Sequence, residues 1–226
     1  MTTHEWRVPV GDGDVTAVCE AATTGESRTV LVCAHGAGGS IADRGTLASA
    51  QAMRDAGFDV VRFNFPYKER KSGRPDAMPF LMETVAAVVA STRQQFSPIR
   101  VVIGGRSMGG RAASMLAADG FVADGLLLLA YPLHPAGQPE QLRDAHLPRI
   151  RMRVLCINGT RDSLCTPALM TQALTTVTAL WRMHWVEDAD HSFHVLKSSG
   201  RTDALVMDEI GAVAAEWRVT LASALR

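Results

Sequence analysis

The chain has 226 residues, 47% hydrophobic and 20% charged, and its 23 basic residues are balanced by 23 acidic ones. That composition excludes disordered and membrane-spanning classes, and a net charge of zero argues against a nucleic-acid partner. In chain order, β-like segments at Trp6 to Val10 and Val15 to Glu20 flank Gly11-Asp12-Gly13-Asp14, whose residues suit a tight hairpin turn. Apolar strand candidates follow at Thr29 to Cys33, Asp59 to Phe63, Arg100 to Gly104, Gly125 to Ala130 and Arg153 to Ile157, with a shorter one at Arg182 to Val186. Helical segments alternate with them: Arg44 to Ala56, Met82 to Gln95, Gly110 to Ala118, Pro167 to Val177 and Asp203 to Leu225. Such alternation predicts a mostly parallel sheet covered by helices, and runs such as Leu126 to Leu129 suit strands buried on both faces. No linker or internal repeat divides the chain, so one domain over residues 1–226 is expected.

Cys19, Cys33, Cys156 and Cys165 lack metal-type spacing and read as small buried hydrophobes. No apolar segment follows Arg7, and the longest aliphatic run, Val85 to Ala90, is too short to span a bilayer. A cytoplasmic protein without membrane association is the resulting expectation. The basic cluster Lys68, Arg70, Lys71 and Arg74 reads as a solvated loop in preference to an anion site.

The most informative feature is Gly105-Arg106-Ser107-Met108-Gly109, a serine between two glycines at a predicted strand-to-helix junction. A side chain carried on so sharp a turn needs strained backbone, and the crossing strand and helix leave no room for Cβ two residues before or after it. A serine hydroxyl is a weak nucleophile and requires a base oriented by a third group. Asp162 follows the strand Arg153 to Ile157 directly, and His191 lies after the last strand, so the order serine, acid, histidine is satisfied. Asp162 could instead cap the helix near Pro167; position and order favour His191 over the other six histidines. His191 and His194 lack a third ligand and do not read as a metal site.

An oxyanion needs preorganised N–H donors. These are assigned to the backbone of Met108, after the serine, and of Ala37, in the loop His35-Gly36-Ala37-Gly38-Gly39. His35 reads as a brace for that loop, and the loop lacks the lysine and hydroxyl of a phosphate-binding motif. Gly36, Gly38, Arg106, Tyr67 and Tyr131 are expected to line the substrate site, although structural pairing is at least as good a reading of Arg106.

With these motifs in place, the chain resembles the α/β-hydrolase superfamily over its whole length, and most its small dienelactone-hydrolase-like members. The resemblance rests on residues 35–39, 105–110, 159–162 and 190–193. It implies an eight-stranded, mostly parallel sheet with an antiparallel N-terminal hairpin and helices on both faces. Dienelactone hydrolases carry a cysteine nucleophile where this chain has Ser107, so lactone specificity does not carry over. Only the segment Tyr131 to Met152 separates the sixth and seventh strand candidates, which leaves no room for a cap domain. An open site follows, bordered by Tyr67 with the basic loop and by Tyr131-Pro132-Leu133-His134.

The expected function is hydrolysis of an ester or related acyl bond of a small to medium substrate, with no metal or organic cofactor. The alternatives are a hydrolase-fold binding or scaffold module, and acyl transfer or peptide cleavage by the same three side chains. Substrate identity and oligomeric state are not legible.

Overall fold

The structure, a computed structural model, describes residues 3–25 and 28–222. Eight strands, β1 (Thr3–Val10), β2 (Gly13–Glu20), β3 (Thr29–Ala34), β4 (Asp59–Phe63), β5 (Arg100–Arg106), β6 (Gly125–Leu129), β7 (Val154–Gly159) and β8 (Trp181–Val186), form one sheet. Their order is β1-β2-β4-β3-β5-β6-β7-β8. β2 is antiparallel to both β1 and β4, and every other neighbouring pair is parallel. The hairpin closes on Gly11 and Asp12, with Val10 paired to Gly13 and Gly11 at φ +56°.

Helices α1 (Arg44–Asp55), α2 (Pro66–Glu69), α3 (Met78–Phe96), α4 (Met108–Ala118), α5 (Pro167–Leu174) and α6 (Asp203–Ala222) accompany the strands. Because side chains alternate across a strand, a strand buried on both faces feeds two cores. Leu126 and Leu128 of β6 point into the core beneath α3, α4 and α5, whereas Leu127 and Leu129 point into the core beneath α1 and α6. Val154 and Cys156 against Leu155 and Ile157 repeat the division on β7. The four cysteines are free and buried, and burial pushes the thiols of Cys19 and Cys33 up to about 12.

Several boundaries differ from the sequence reading. α3 begins four residues before the predicted Met82, because Pro79 sits in its first turn, where a missing N–H breaks no helical bond. α5 ends at Leu174 instead of Val177, where the β-branched run Thr175-Thr176-Val177 is a weak helix former. β6 stops at Leu129 because Ala130 turns to φ +50°. The short α2 and the 3₁₀ turns Leu147–Arg149 and Lys197–Ser199 escaped periodicity altogether. Residues 223–225 of the predicted last helix lie outside the described residues. Between β6 and β7 the chain forms loops and one 3₁₀ turn, so no lid covers the sheet there. No described helix is long and apolar enough to cross a membrane.

The connection from β3 leads through α1 toward β4, while that from β5 leads through α4 toward β6 on the opposite side. A crevice therefore opens at the carboxyl ends of β3 and β5, where the sheet's winding reverses.

Candidate active site

Ser107 occupies that crevice, between β5 and α4, at φ +50° and ψ −118°. Holding a non-glycine residue in this region costs about 1–3 kcal/mol. The flanking glycines show what holds it there. A Cβ on Gly105, itself at φ +147°, would stand 2.2 Å from the carbonyl oxygen of Ala34. One on Gly109 would stand 2.6 Å from the carbonyl oxygens of both Ala34 and His35. The elbow thus presses directly on the end of β3, as the spacing predicted.

The two partners arrive on loops beyond β7 and β8. His191 Nε2 lies 2.9 Å from Ser107 Oγ, and His191 Nδ1 lies 2.8 and 3.0 Å from the two carboxylate oxygens of Asp162. Asp162 is 2% exposed, so its charge must be fully hydrogen-bonded. Besides the imidazole, the Leu164 N–H donates to Oδ1 at 2.8 Å and Asn158 Nδ2 donates to Oδ2 at 3.1 Å. Asn158 is itself immobilised: its Oδ1 accepts from the Tyr131 N–H at 3.0 Å and its Nδ2 also donates to the Tyr131 carbonyl at 3.1 Å. Sequence reasoning passed over Asn158, although an amide beside Gly159 at the end of an apolar strand is a polar residue that burial obliges to bond.

The two loops are stitched together below these side chains. Thr160 N–H donates to Val186 O at 3.0 Å and Arg161 N–H to Ala189 O at 2.9 Å. The Asp190 carboxylate accepts from the N–H groups of Ser192 and His194, and Phe193 plugs the core beneath α1 and α6. Arg106 donates to the His191 carbonyl at 3.1 Å, with its guanidinium 5.9 Å from the Phe193 ring centroid. It braces the histidine loop, as the pairing reading has it, and lines a separate pocket with Ser192 and Phe193 instead of the cavity that holds Ser107.

On the other side of Ser107 lies a cavity of about 490 Å³ lined by Ala37, Ser107 and Met108 among others. Among the hydrogen bonds of the described residues, the backbone N–H groups of Ala37 and Met108 have no protein acceptor. Met108 opens α4, where a helix leaves its first N–H groups unsatisfied. Gly36 backs Ser107, since a Cβ there would meet the serine Cβ at 3.5 Å, while Gly38 faces open space.

Tyr67 and Tyr131 are not part of the cavity wall. Both are fully buried, because the segments leaving β4 and β6 turn their rings into the core beneath α3 and α4. They act as supports from behind. Tyr67 Oη donates to Ala37 O at 2.7 Å, and burial pushes its phenol up to about 12, which keeps it a donor. Tyr131 Oη donates to Arg143 O at 2.8 Å. His35 is buried with its pKa lowered by desolvation; its Nε2 accepts from the Phe65 N–H at 3.2 Å, so Nδ1 donates to Gly36 O at 2.7 Å. It braces the loop, as expected. The basic cluster stays outside the cavity, with Arg70 ion-paired to Asp76.

Residues 27–218 match the family described as the alpha/beta hydrolase domain. Among solved structures, an alpha-beta serine hydrolase homologue from Coxiella burnetii superposes with a TM-score of 0.77 at 18% identity, covering 96% of this chain and 97% of that one. A lid-less serine hydrolase from Xanthomonas campestris does so at 0.76 and 20% identity, covering 95% and 94%. A dienelactone hydrolase from Anabaena variabilis gives 0.73 at 21% identity, covering 97% of each chain.

Proposed function

Given that the chain belongs to the alpha/beta hydrolase family, we propose that it is a serine hydrolase cleaving esters or related acyl bonds of small to medium substrates at an exposed site. The observation that supports this reading is the continuous relay from Asp162 through His191 to Ser107, every link between 2.8 and 3.0 Å.

His191 Nδ1–H donates to the Asp162 carboxylate, which leaves Nε2 with a free lone pair facing the serine hydroxyl. As Ser107 Oγ bonds to the acyl carbon, its proton passes to Nε2, and the negative charge gathers on the former carbonyl oxygen. The N–H groups of Ala37 and Met108 serve as its donors. When the bond to the leaving group breaks, Nε2 returns the proton to it. Water then attacks the acyl-enzyme by the same exchange and frees the acid. Asp162, held by Asn158 and Leu164, fixes the tautomer throughout.

Fluorophosphonate labelling of the purified protein, followed by hydrolysis assays on short-chain p-nitrophenyl esters, tests the reading. Labelling at Ser107 and turnover that both vanish in Ser107→Ala are expected. A Ser107→Ala protein with undiminished esterase activity would refute it.

A further inference from the structure

Resting on that reading, we propose that the cavity beside Ser107 accepts acyl groups that end in a carboxylate, held between Arg111 and Arg143. Both arginines line the cavity with Ser107. Among the described residues neither guanidinium has an ion-pair or hydrogen-bond partner, and the Nε of Arg111 is buried without one. Two unpaired cations facing one space repel each other. Burial together with the charge of Arg111 depresses the pKa of Arg143. Asp76, the acidic residue of the lining, is already paired with Arg70 and accepts from the Tyr67 N–H, so it does not neutralise them.

A second observation comes from the buried polar atoms of the cavity wall, His134 among them. His134 is 3% exposed and lines the same cavity; its Nδ1 is committed to the Pro135 carbonyl at 2.9 Å, and its buried Nε2 has no partner. Because Nδ1 donates, the lone pair of Nε2 awaits a donor and not a carboxylate; the orphan that a carboxylate completes is the buried Nε–H of Arg111. Carboxylate is the anion the arginine fork matches in two parallel hydrogen bonds.

The arginines lie close to the nucleophile in the chain's own geometry. Arg111 sits one helical turn after Ser107, its N–H bonded to the Ser107 carbonyl at 2.9 Å. A short half-ester of a dicarboxylic acid, such as a glutaryl ester, is therefore the probe for a site whose backbone lies one helical turn, about 6 Å, from that of the nucleophile. Arg143 is carried by the loop that Tyr131 Oη and the Leu133 carbonyl pin in place.

The test compares monoethyl glutarate with its neutral isostere, ethyl glutaramate, in ethanol-release assays. The parent protein should favour the anionic ester in kcat/KM. That preference should fall about 10- to 100-fold in Arg143→Gln, the range expected for loss of a hydrogen bond to a charged group, and recover in part in Arg143→Lys. A ratio the substitution leaves unmoved overturns the proposal. Calorimetric titration of glutarate and of its neutral diamide, glutaramide, into Ser107→Ala separates this claim from the hydrolase reading. Glutarate should bind at least ten times more tightly, and Arg143→Gln should remove the difference. A protein that hydrolyses neutral esters yet shows no such difference sinks the carboxylate site alone. One that binds glutarate in an Arg143-dependent way but takes neither fluorophosphonate nor ester sinks the hydrolase reading alone.

Discussion

Replacing Asp162 with Asn probes the relay at its most constrained point. The carboxylate accepts from three donors at once: His191 Nδ1, the Leu164 N–H and Asn158 Nδ2. An amide has only one accepting atom, its oxygen, and its NH₂ can only donate. With its oxygen toward Leu164, its NH₂ takes the place of Oδ2, which accepts from Asn158 Nδ2 and is the nearer of the two oxygens to His191 Nδ1, at 2.8 against 3.0 Å. Asn158 cannot turn over, because both ends of its amide are bonded to the Tyr131 backbone. The imidazole yields instead: Nδ1 becomes the acceptor, Nε2 carries the hydrogen, and no lone pair faces Ser107. Loss of the correct tautomer lowers kcat by about 10⁴, or about 5.5 kcal/mol in barrier height, with KM little changed. Stability should fall by about 1–3 kcal/mol, since one face of the Asn158 amide now opposes another donor. Steady-state kinetics on a p-nitrophenyl ester and urea unfolding measure the two effects. A kcat within tenfold of the parent would refute the reasoning about the tautomer.

Gly109→Ala drives a Cβ against two backbone carbonyl oxygens and should lower Tm by about 3–10 °C; a calorimetric Tm within a degree of the parent would show that the elbow relaxes freely. Ser107→Gly should be more stable than Ser107→Ala by about 1 kcal/mol, because glycine relieves the strain of φ +50° and ψ −118°. At relaxed sites the order is reversed, so urea midpoints that favour the alanine variant would show that no strain is stored. Burial lowers the pKa of His146 to about 4. Below about pH 6.5 the unfolded chain therefore binds a proton that the folded one refuses, and stability is lost as pH falls through that window. In His146→Gln the loss between pH 7.5 and 4.5 should shrink by about 2.5 kcal/mol; parallel urea-unfolding curves for the two proteins would contradict this.

The sequence by itself determined much of the elements' order and kind. Short leucine and valine runs bounded by turn residues suit strands buried on both faces, and the paired glycines around Ser107, at a strand-to-helix junction, suit a crossing too close for Cβ. The three relay residues were legible because each sits at a strand's end in a fixed order, a property of the chain and not of its packing. What escaped was everything set by which surface an end of chain turns toward. Tyr67 and Tyr131 stand next to the right strands yet point into the core, Arg106 braces the histidine loop instead of facing the cavity, and Asn158, Arg111, His134 and Arg143 acquire their roles from neighbours distant in sequence. Periodicity records how often a side chain is buried, but only the meeting of separate loops decides which atoms it meets there. For a half-buried arginine, the difference between a structural brace and an unpaired charge lies entirely in those meetings.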